Sequence, residues 1–165
     1  MVQRNDDGTF KAVVTYAIIR APAQLIWETI LDINSYTKYM PRLVEANLLE
    51  DRSSENEIYA SFEIEVPMKN TRYTLKHVLN SENNTITIYP VSGDLEGSRW
   101  QWKLYPQGNS TLVVYTGRTV NYSAFLQTFE DRQQTITVGI NISSNMTTIQ
   151  SIKDRAEYLF MKEKK

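Results

Sequence analysis

One histidine, His77, and no cysteine in 165 residues set narrow limits on the chemistry this chain can do. Without thiols there is no disulfide scaffold, thiolate-bound zinc, iron–sulfur cluster or cysteine nucleophile. With one imidazole, any metal site would have to rest on carboxylates, and neither metal nor cofactor is expected. His77 stands in the run Tyr73-Thr74-Leu75-Lys76-His77-Val78-Leu79, whose period of two puts it on one face with Tyr73, Leu75 and Leu79. A neutral imidazole and a phenol in an apolar setting can orient a carbonyl or exchange protons as acid and base. The plainer reading is a core histidine with one hydrogen-bond partner. Glu63 and Glu65 are carboxylates at a spacing of two, a pattern that could serve glycosidase or metal chemistry. They alternate with Ile64, however, and so are expected on the wet face as solvated charges. Arg99 and Arg118 could hold an anionic head group bidentately, or simply keep the surface soluble. Asn83, Asn109, Asn121, Asn141 and Asn145 each begin an Asn-x-Ser/Thr triplet; the last two fall on a proposed helix, which argues against glycans there.

The remaining composition points to binding more than catalysis. Ten Tyr, five Phe and three Trp stand against 18 basic and 19 acidic residues, for a formal charge of −1. That balance removes the electrostatic case for a nucleic-acid partner. The length fits one domain over 1–165, with a core of about 9–161. No stretch approaches the ~18 uninterrupted apolar residues of a membrane-spanning helix, and the polar start Met-Val-Gln-Arg-Asn-Asp-Asp-Gly has no signal-peptide run. A cytoplasmic location is expected, or a periplasmic or secreted one if a leader was removed.

The elements that must position these groups follow from periodicity. Thr9 to Ile19 is β-branched and aromatic, a first strand. Pro22 then starts a helix to Leu31 with Leu25, Ile26, Trp27 and Ile30 at helical spacing. Asn34 is placed to cap a second short helix over Ser35 to Tyr39, which Pro41 stops. From there the pattern has period two, with polar breaks at Asp51–Glu55, Pro67–Asn70, Ser81–Asn84, Ser92–Gly97 and Pro106–Asn109, giving six more strands. Ile58, Ala60, Phe62, Ile64 and Val66 form one face of the clearest of them, and Trp100, Trp102 and Leu104 one face of another. Short connections imply antiparallel neighbours. The tail is divided: Ile136, Val138, Ile140 and Ile142 alternate like a strand, whereas Ile142, Met146, Ile149, Ile152, Ala156 and Leu159 share one helical stripe. The sum is an α+β unit, a curved antiparallel sheet of seven strands wrapped around a terminal helix, with room for a pocket between them.

Several strings carry a family resemblance. Ile18-Ile19-Arg20-Ala21-Pro22-Ala23-Gln24-Leu25-Ile26-Trp27, then Leu31-Asp32-Ile33-Asn34-Ser35-Tyr36 and Met40-Pro41, resemble the opening of the START-like (birch pollen allergen-like, helix-grip) superfamily, in its polyketide cyclase/dehydrase and coenzyme Q-binding branch. Gly93 to Gly97, Trp100 to Pro106 and Thr111 to Tyr115 are similar to that branch's late strands, and Lys153-Asp154-Arg155-Ala156-Glu157 to its last helix. The resemblance implies the helix-grip fold, a long terminal helix from about Glu130, and a deep cavity for a lipid-, quinone- or polyketide-like ligand. No glycine-rich loop of the plant allergen branch is present, so phytohormone-type binding is unsupported. Phe62, Ile64, Tyr73, Leu75, His77, Trp100, Trp102, Tyr115, Met146 and Ile149 are expected to line the cavity. Pro41, Pro67–Asn70 and Ser92–Gly97 are its candidate gates. Binding and transport of a hydrophobic small molecule is the leading expectation. The alternatives are a cyclase or dehydratase using His77 and Tyr73, and an interaction module with a filled cavity.

Overall fold

Alternation of apolar and polar side chains turns most of the chain into strands, and each strand buries one face. The computed structural model describes residues 1–65, 70–120 and 134–164. Its elements are β1 (Val2–Arg4), β2 (Phe10–Ile19), α1 (Ala23–Leu31), a 3-10 helix (Ile33–Lys38), β3 (Leu43–Arg52), β4 (Glu57–Ile64), β5 (Thr71–Asn80), β6 (Thr85–Gly93), β7 (Arg99–Gln107), β8 (Ser110–Arg118) and a long terminal helix, here α2 (Gln134–Glu163). The strands form one antiparallel sheet in the order β1-β2-β8-β7-β6-β5-β4-β3. Ile19, Ile86, Trp102, Leu104 and Val113 from the sheet meet Ile26 and Ile30 of α1 and Ile152 and Ala156 of α2 in one apolar core. The β6–β7 ladder is short, running only from Thr85↔Lys103 to Ile88↔Trp100. No helix among the described residues is long and apolar enough to cross a membrane.

The sheet has eight strands where seven were expected. The extra one, β1, is three residues long, too short to show a period. It is held by pairing with β2 and by the terminal ammonium of Met1 donating to the Val14 carbonyl at 2.7 Å. The signal that marks it is the turn Asn5-Asp6-Asp7-Gly8, where Gly8 has φ 82°.

The 3-10 helix begins at Ile33 without the expected cap from Asn34. Asn34 Oδ1 instead accepts the Leu48 N–H at 3.0 Å, tying this segment to β3. Two tyrosines of the segment reach back to α1: Tyr36 Oη donates to the Ile30 carbonyl at 2.5 Å and Tyr39 Oη to the Thr29 carbonyl at 3.2 Å. Both carbonyls lie in the last turn of α1, where a helix leaves its acceptors without partners of its own.

The divided tail resolves as helix from Gln134 onward; Glu130, the expected start, lies outside the described residues. What holds the helix is its tether to the sheet. Asn141 Oδ1 accepts the Thr119 N–H at 2.6 Å and its Nδ2 donates to the Thr119 carbonyl at 3.1 Å. Asn145 Nδ2 donates to the Val13 carbonyl at 3.0 Å, and Lys153 Nζ to the Ile18 carbonyl at 3.0 Å. Glu157 accepts the Arg20 N–H at 2.8 Å and pairs with Lys153. Although burial alone would raise the Glu157 carboxyl, these donors hold it below its ordinary value. The partners climb β2 from Val13 to Arg20 as α2 advances, so the helix runs alongside β2 in the same direction. Asn141 and Asn145 are fully buried, which leaves neither triplet accessible to a glycan.

Close approach of α2 to the sheet depends on Gly117, which pairs with Trp100 on one side and Val13 on the other. A Cβ there would sit 2.6 Å from Asn145 Oδ1 and 2.6 Å from Trp100 Cδ1. Gly117→Ala is expected to cost about 2 kcal/mol, the usual range for forcing a methyl into a filled space. The measurement is a lowered urea midpoint at unchanged slope, and an unchanged midpoint would mean that the helix can step back freely.

Candidate functional site: a cavity between sheet and helix

The curved sheet and α2 enclose a cavity of about 560 Å³, within the usual range for small-molecule sites. Its two walls differ in chemistry. The sheet contributes Phe62 and Ile64 from β4, Tyr73, Leu75 and His77 from β5, Trp100 and Trp102 from β7 and Tyr115 from β8. Trp102 stacks on Tyr115 with centroids 4.1 Å apart, and Phe62 on Tyr73 at 5.5 Å. The helix contributes Gly139, Ile140, Ser143, Ser144, Thr147 and Thr148. An aromatic surface thus faces a row of hydroxyls.

Eight of the ten expected lining residues therefore lie on the cavity. Met146 does not, being 58% exposed on the outer face of α2, and Ile149 is buried beside the cavity rather than on its wall. The apolar stripe holds only for the second half of the helix. In the first half Asn141 and Asn145 take the buried positions, leaving Ile142 and Met146 exposed and Ser143, Ser144, Thr147 and Thr148 on the open cavity. The spacing of Ser143, Ser144, Thr147 and Thr148, one face over two turns, was the available signal for this wall.

Pro41, Arg42 and Glu65, all exposed, form a rim of the cavity lining, with Met40, Leu43 and Ile64 beside them half-buried. Arg42 has φ 64°, a left-handed conformation uncommon for a side chain other than glycine, and its carbonyl accepts the Glu65 N–H at 2.8 Å. Of the expected gates, Pro41 lies at this rim and Leu95, from Ser92–Gly97, lines the cavity. Val66 to Lys69 lie outside the described residues. Arg99 and Arg118 are not on the cavity; they face each other across β7 and β8, and the Arg99 guanidinium lies over the Tyr89 ring at 5.2 Å.

Glu63 and Glu65 part company. Glu65 is exposed, as expected. Glu63 is buried, because its cross-strand partner is Arg72, whose Nε donates to Oε2 at 2.8 Å while Asn70 Nδ2 donates to Oε1 at 2.5 Å. Hydrogen bonds from Asn70 and Arg72 hold its carboxyl below the usual value. It does not line the large cavity, and no group of three or more acidic or histidine side chains able to hold a metal occurs among the described residues.

His77 is 1% exposed, and its ring lies 6.4 Å from that of Phe62. Burial pushes its pKa down to about 4, with the Ile58 backbone acting weakly the other way, so the imidazole is neutral at pH 7. Its Nδ1 has no hydrogen-bond partner among the described residues. Burial also raises the Tyr73 and Tyr115 phenols above their ordinary values. The cavity thus holds three uncharged titratable groups, His77, Tyr73 and Tyr115, on a largely apolar sheet wall.

The profile of the polyketide cyclase/dehydrase and lipid transport family matches residues 19–138. The chain belongs to this family. No curated protein matches the sequence of this family member, but solved structures share its fold. The aromatase/cyclase Zhui from Streptomyces sp. R1128 superposes with a TM-score of 0.71 at 17% identity, over 89% of this chain and 93% of that one. A START superfamily protein from Mycobacterium smegmatis gives 0.69 at 14% identity, over 90% and 98%. A STAR-related lipid transfer protein from Xanthomonas axonopodis gives 0.68 at 16% identity, over 94% and 90%. This member of the family therefore has the helix-grip architecture, with β1 at the edge of its sheet.

Proposed function

We infer that the chain binds, and carries, a hydrophobic small molecule with a ring system between its sheet and α2, as a single domain. The observation that carries this reading is the cavity of about 560 Å³ with its facing Trp100, Trp102, Tyr115, Phe62 and Tyr73. Apolar surface moved there from water contributes roughly 25 cal/mol per Å², and flat aromatic walls favour flat ligands. The lipid transport in the family's description and the lipid transfer protein among the structural neighbours support the same class of ligand.

A cyclase or dehydratase acting through His77 and Tyr73 is the second reading, supported by their shared cavity and by the aromatase/cyclase neighbour. General acid–base catalysis works best with pKa values near the working pH. Burial moves His77 down and Tyr73 up, both away from neutrality, which favours the binder. An interaction module with a filled cavity has less support, because the described side chains leave the cavity open.

Gly139 supplies the test. It lies on the cavity wall, and a Cβ added there meets nothing within 4 Å, so a large side chain is accommodated at that wall without displacing backbone. The wild-type protein is expected to bind N-phenyl-1-naphthylamine saturably at one site, read by its fluorescence, and Gly139→Phe to weaken this at least tenfold while melting normally. Absent saturable binding, or binding indifferent to Gly139→Phe, would remove the cavity as the site.

A further inference from the structure

We propose that Tyr73 selects ligands bearing a carbonyl on an otherwise apolar ring, its phenol donating a hydrogen bond to the carbonyl oxygen inside the cavity. The inference deepens the binding reading above and rests on it. Among the described residues three phenols line the cavity, those of Tyr36, Tyr73 and Tyr115, and two of them are engaged. Tyr36 Oη donates to the Ile30 carbonyl at 2.5 Å, and a hydrogen bond with Thr148 of α2 lowers the Tyr115 phenol against its burial. Burial alone acts on Tyr73, with no hydrogen bond contributing. Its oxygen is not sealed either: the closed-off polar atoms without a partner among the described residues are His77 Nδ1, Asn145 Oδ1 and Arg155 Nε. Tyr73 is half-buried, which leaves its O–H open to the space it lines.

The side chain is held from both neighbouring strands. Its ring stacks on that of Phe62, its partner across β4, with centroids 5.5 Å apart. On the other side it pairs with Gly93, φ 96°, where a Cβ would sit 2.6 Å from Tyr73 Cα. Beside it, the Arg72 N–H donates to Asp94 Oδ2 at 3.0 Å and the Arg72 carbonyl accepts the Asp94 N–H at 2.9 Å. A donor fixed in this way loses little freedom when a ligand takes it up. The phenols of Tyr36 and Tyr115 both sense that of Tyr73, so its oxygen faces the interior between sheet and helix. A phenol oxygen shares a lone pair with its ring, and therefore donates better than it accepts. A ligand whose ring carries a carbonyl satisfies that donor, whereas a hydrocarbon of the same shape leaves it unpaired, which is the costlier state.

The test compares 2-acetylnaphthalene with 2-isopropylnaphthalene, alike in shape and different in the carbonyl, by displacement of N-phenyl-1-naphthylamine. The ratio of the first affinity to the second is expected to fall about fivefold from wild type to Tyr73→Phe, the size of one net hydrogen bond. In Tyr36→Phe, whose hydroxyl is spent on Ile30, the ratio should stay at the wild-type value. An equal ratio in wild type and Tyr73→Phe, an equal fall in Tyr36→Phe, or failure of both naphthalenes to displace the reporter overturns the proposal and leaves the binding reading standing. Absent saturable binding of the reporter itself overturns both. Should Tyr73→Phe not fold, infrared difference spectra of 2-acetylnaphthalene on the wild-type protein decide: its carbonyl stretch is expected at a lower wavenumber than in hydrocarbon solvent, and an unshifted band overturns the proposal.

Discussion

Replacing Trp102 with alanine is expected to lower the unfolding free energy by about 4 kcal/mol, the middle of the range for deleting a large buried aromatic. Trp102 is 2% exposed, stacks on Tyr115 with centroids 4.1 Å apart, and shares the apolar core with Ile86, Val113 and Ile152. Ile86 and Val113 are held in strands and Ile152 in α2, so they cannot close the gap. With a urea slope of about 2 kcal/mol per molar, the midpoint should fall by about 2 M, measured by circular dichroism. A drop below about 0.5 M would mean that the indole belongs to the cavity wall alone and supports little of the core. Because the same ring does both jobs, Trp102→Ala cannot serve as a clean probe of binding, whereas Gly139→Phe can.

Acidification from pH 7 to pH 4 is expected to remove about 3 kcal/mol of stability through His77 alone. The unfolded chain protonates this residue near 6.5, while burial holds the folded pKa down to about 4. Between those values the unfolded state binds more protons, so falling pH favours unfolding, at about 1.4 kcal/mol per pKa unit. The stability is fully present above pH 6.5. In urea titrations from pH 7 to pH 4, wild type should lose stability through this window and His77→Leu should not. The carboxylates held low by donors, Glu63 and Glu157, are shifted in the same direction and lose their contribution at lower pH, from the ordinary carboxylate range downward. A wild-type curve flat from pH 6.5 to pH 4 would mean that the imidazole is charged or solvated in the fold.

The sheet wall of the cavity was readable because its signal is local: in β7, Trp100, Trp102 and Leu104 are buried while Arg99, Gln101 and Lys103 alternate outward, and a period of two reports which face is dry. The same rule fails at Glu63, whose burial depends on Arg72, a partner brought opposite it only by the pairing of β4 with β5. The helix wall was hidden for a different reason. Ile136, Val138, Ile140 and Ile142 imitate a strand, and the helical answer comes from tethers between Asn141 and Thr119 and between Asn145 and Val13, which local propensity does not contain. Two asparagines then occupy the positions a hydropathy pattern reserves for apolar residues, and Met146 was misplaced by that substitution. The family resemblance supplied the helix but could not supply the rotation of its face.

The short ladder between β6 and β7 divides the sheet wall of the cavity in two. Strands β1, β2, β8 and β7 make one leaf and β6, β5, β4 and β3 another; the ladder joining them runs from Thr85↔Lys103 to Ile88↔Trp100, extended by the Leu104 N–H donating to the Asn84 carbonyl at 2.9 Å. The helix is lashed to the first leaf through Val13, Ile18 and Arg20, so it travels with that leaf. The second leaf is held instead through β3, where the Leu48 N–H bonds Asn34 of the 3-10 helix, whose tyrosines bond α1. The seam is therefore a boundary in the sheet wall of the cavity, with Phe62, Tyr73 and His77 on one side of it and Trp102, Tyr115 and the helix tied to β2 on the other.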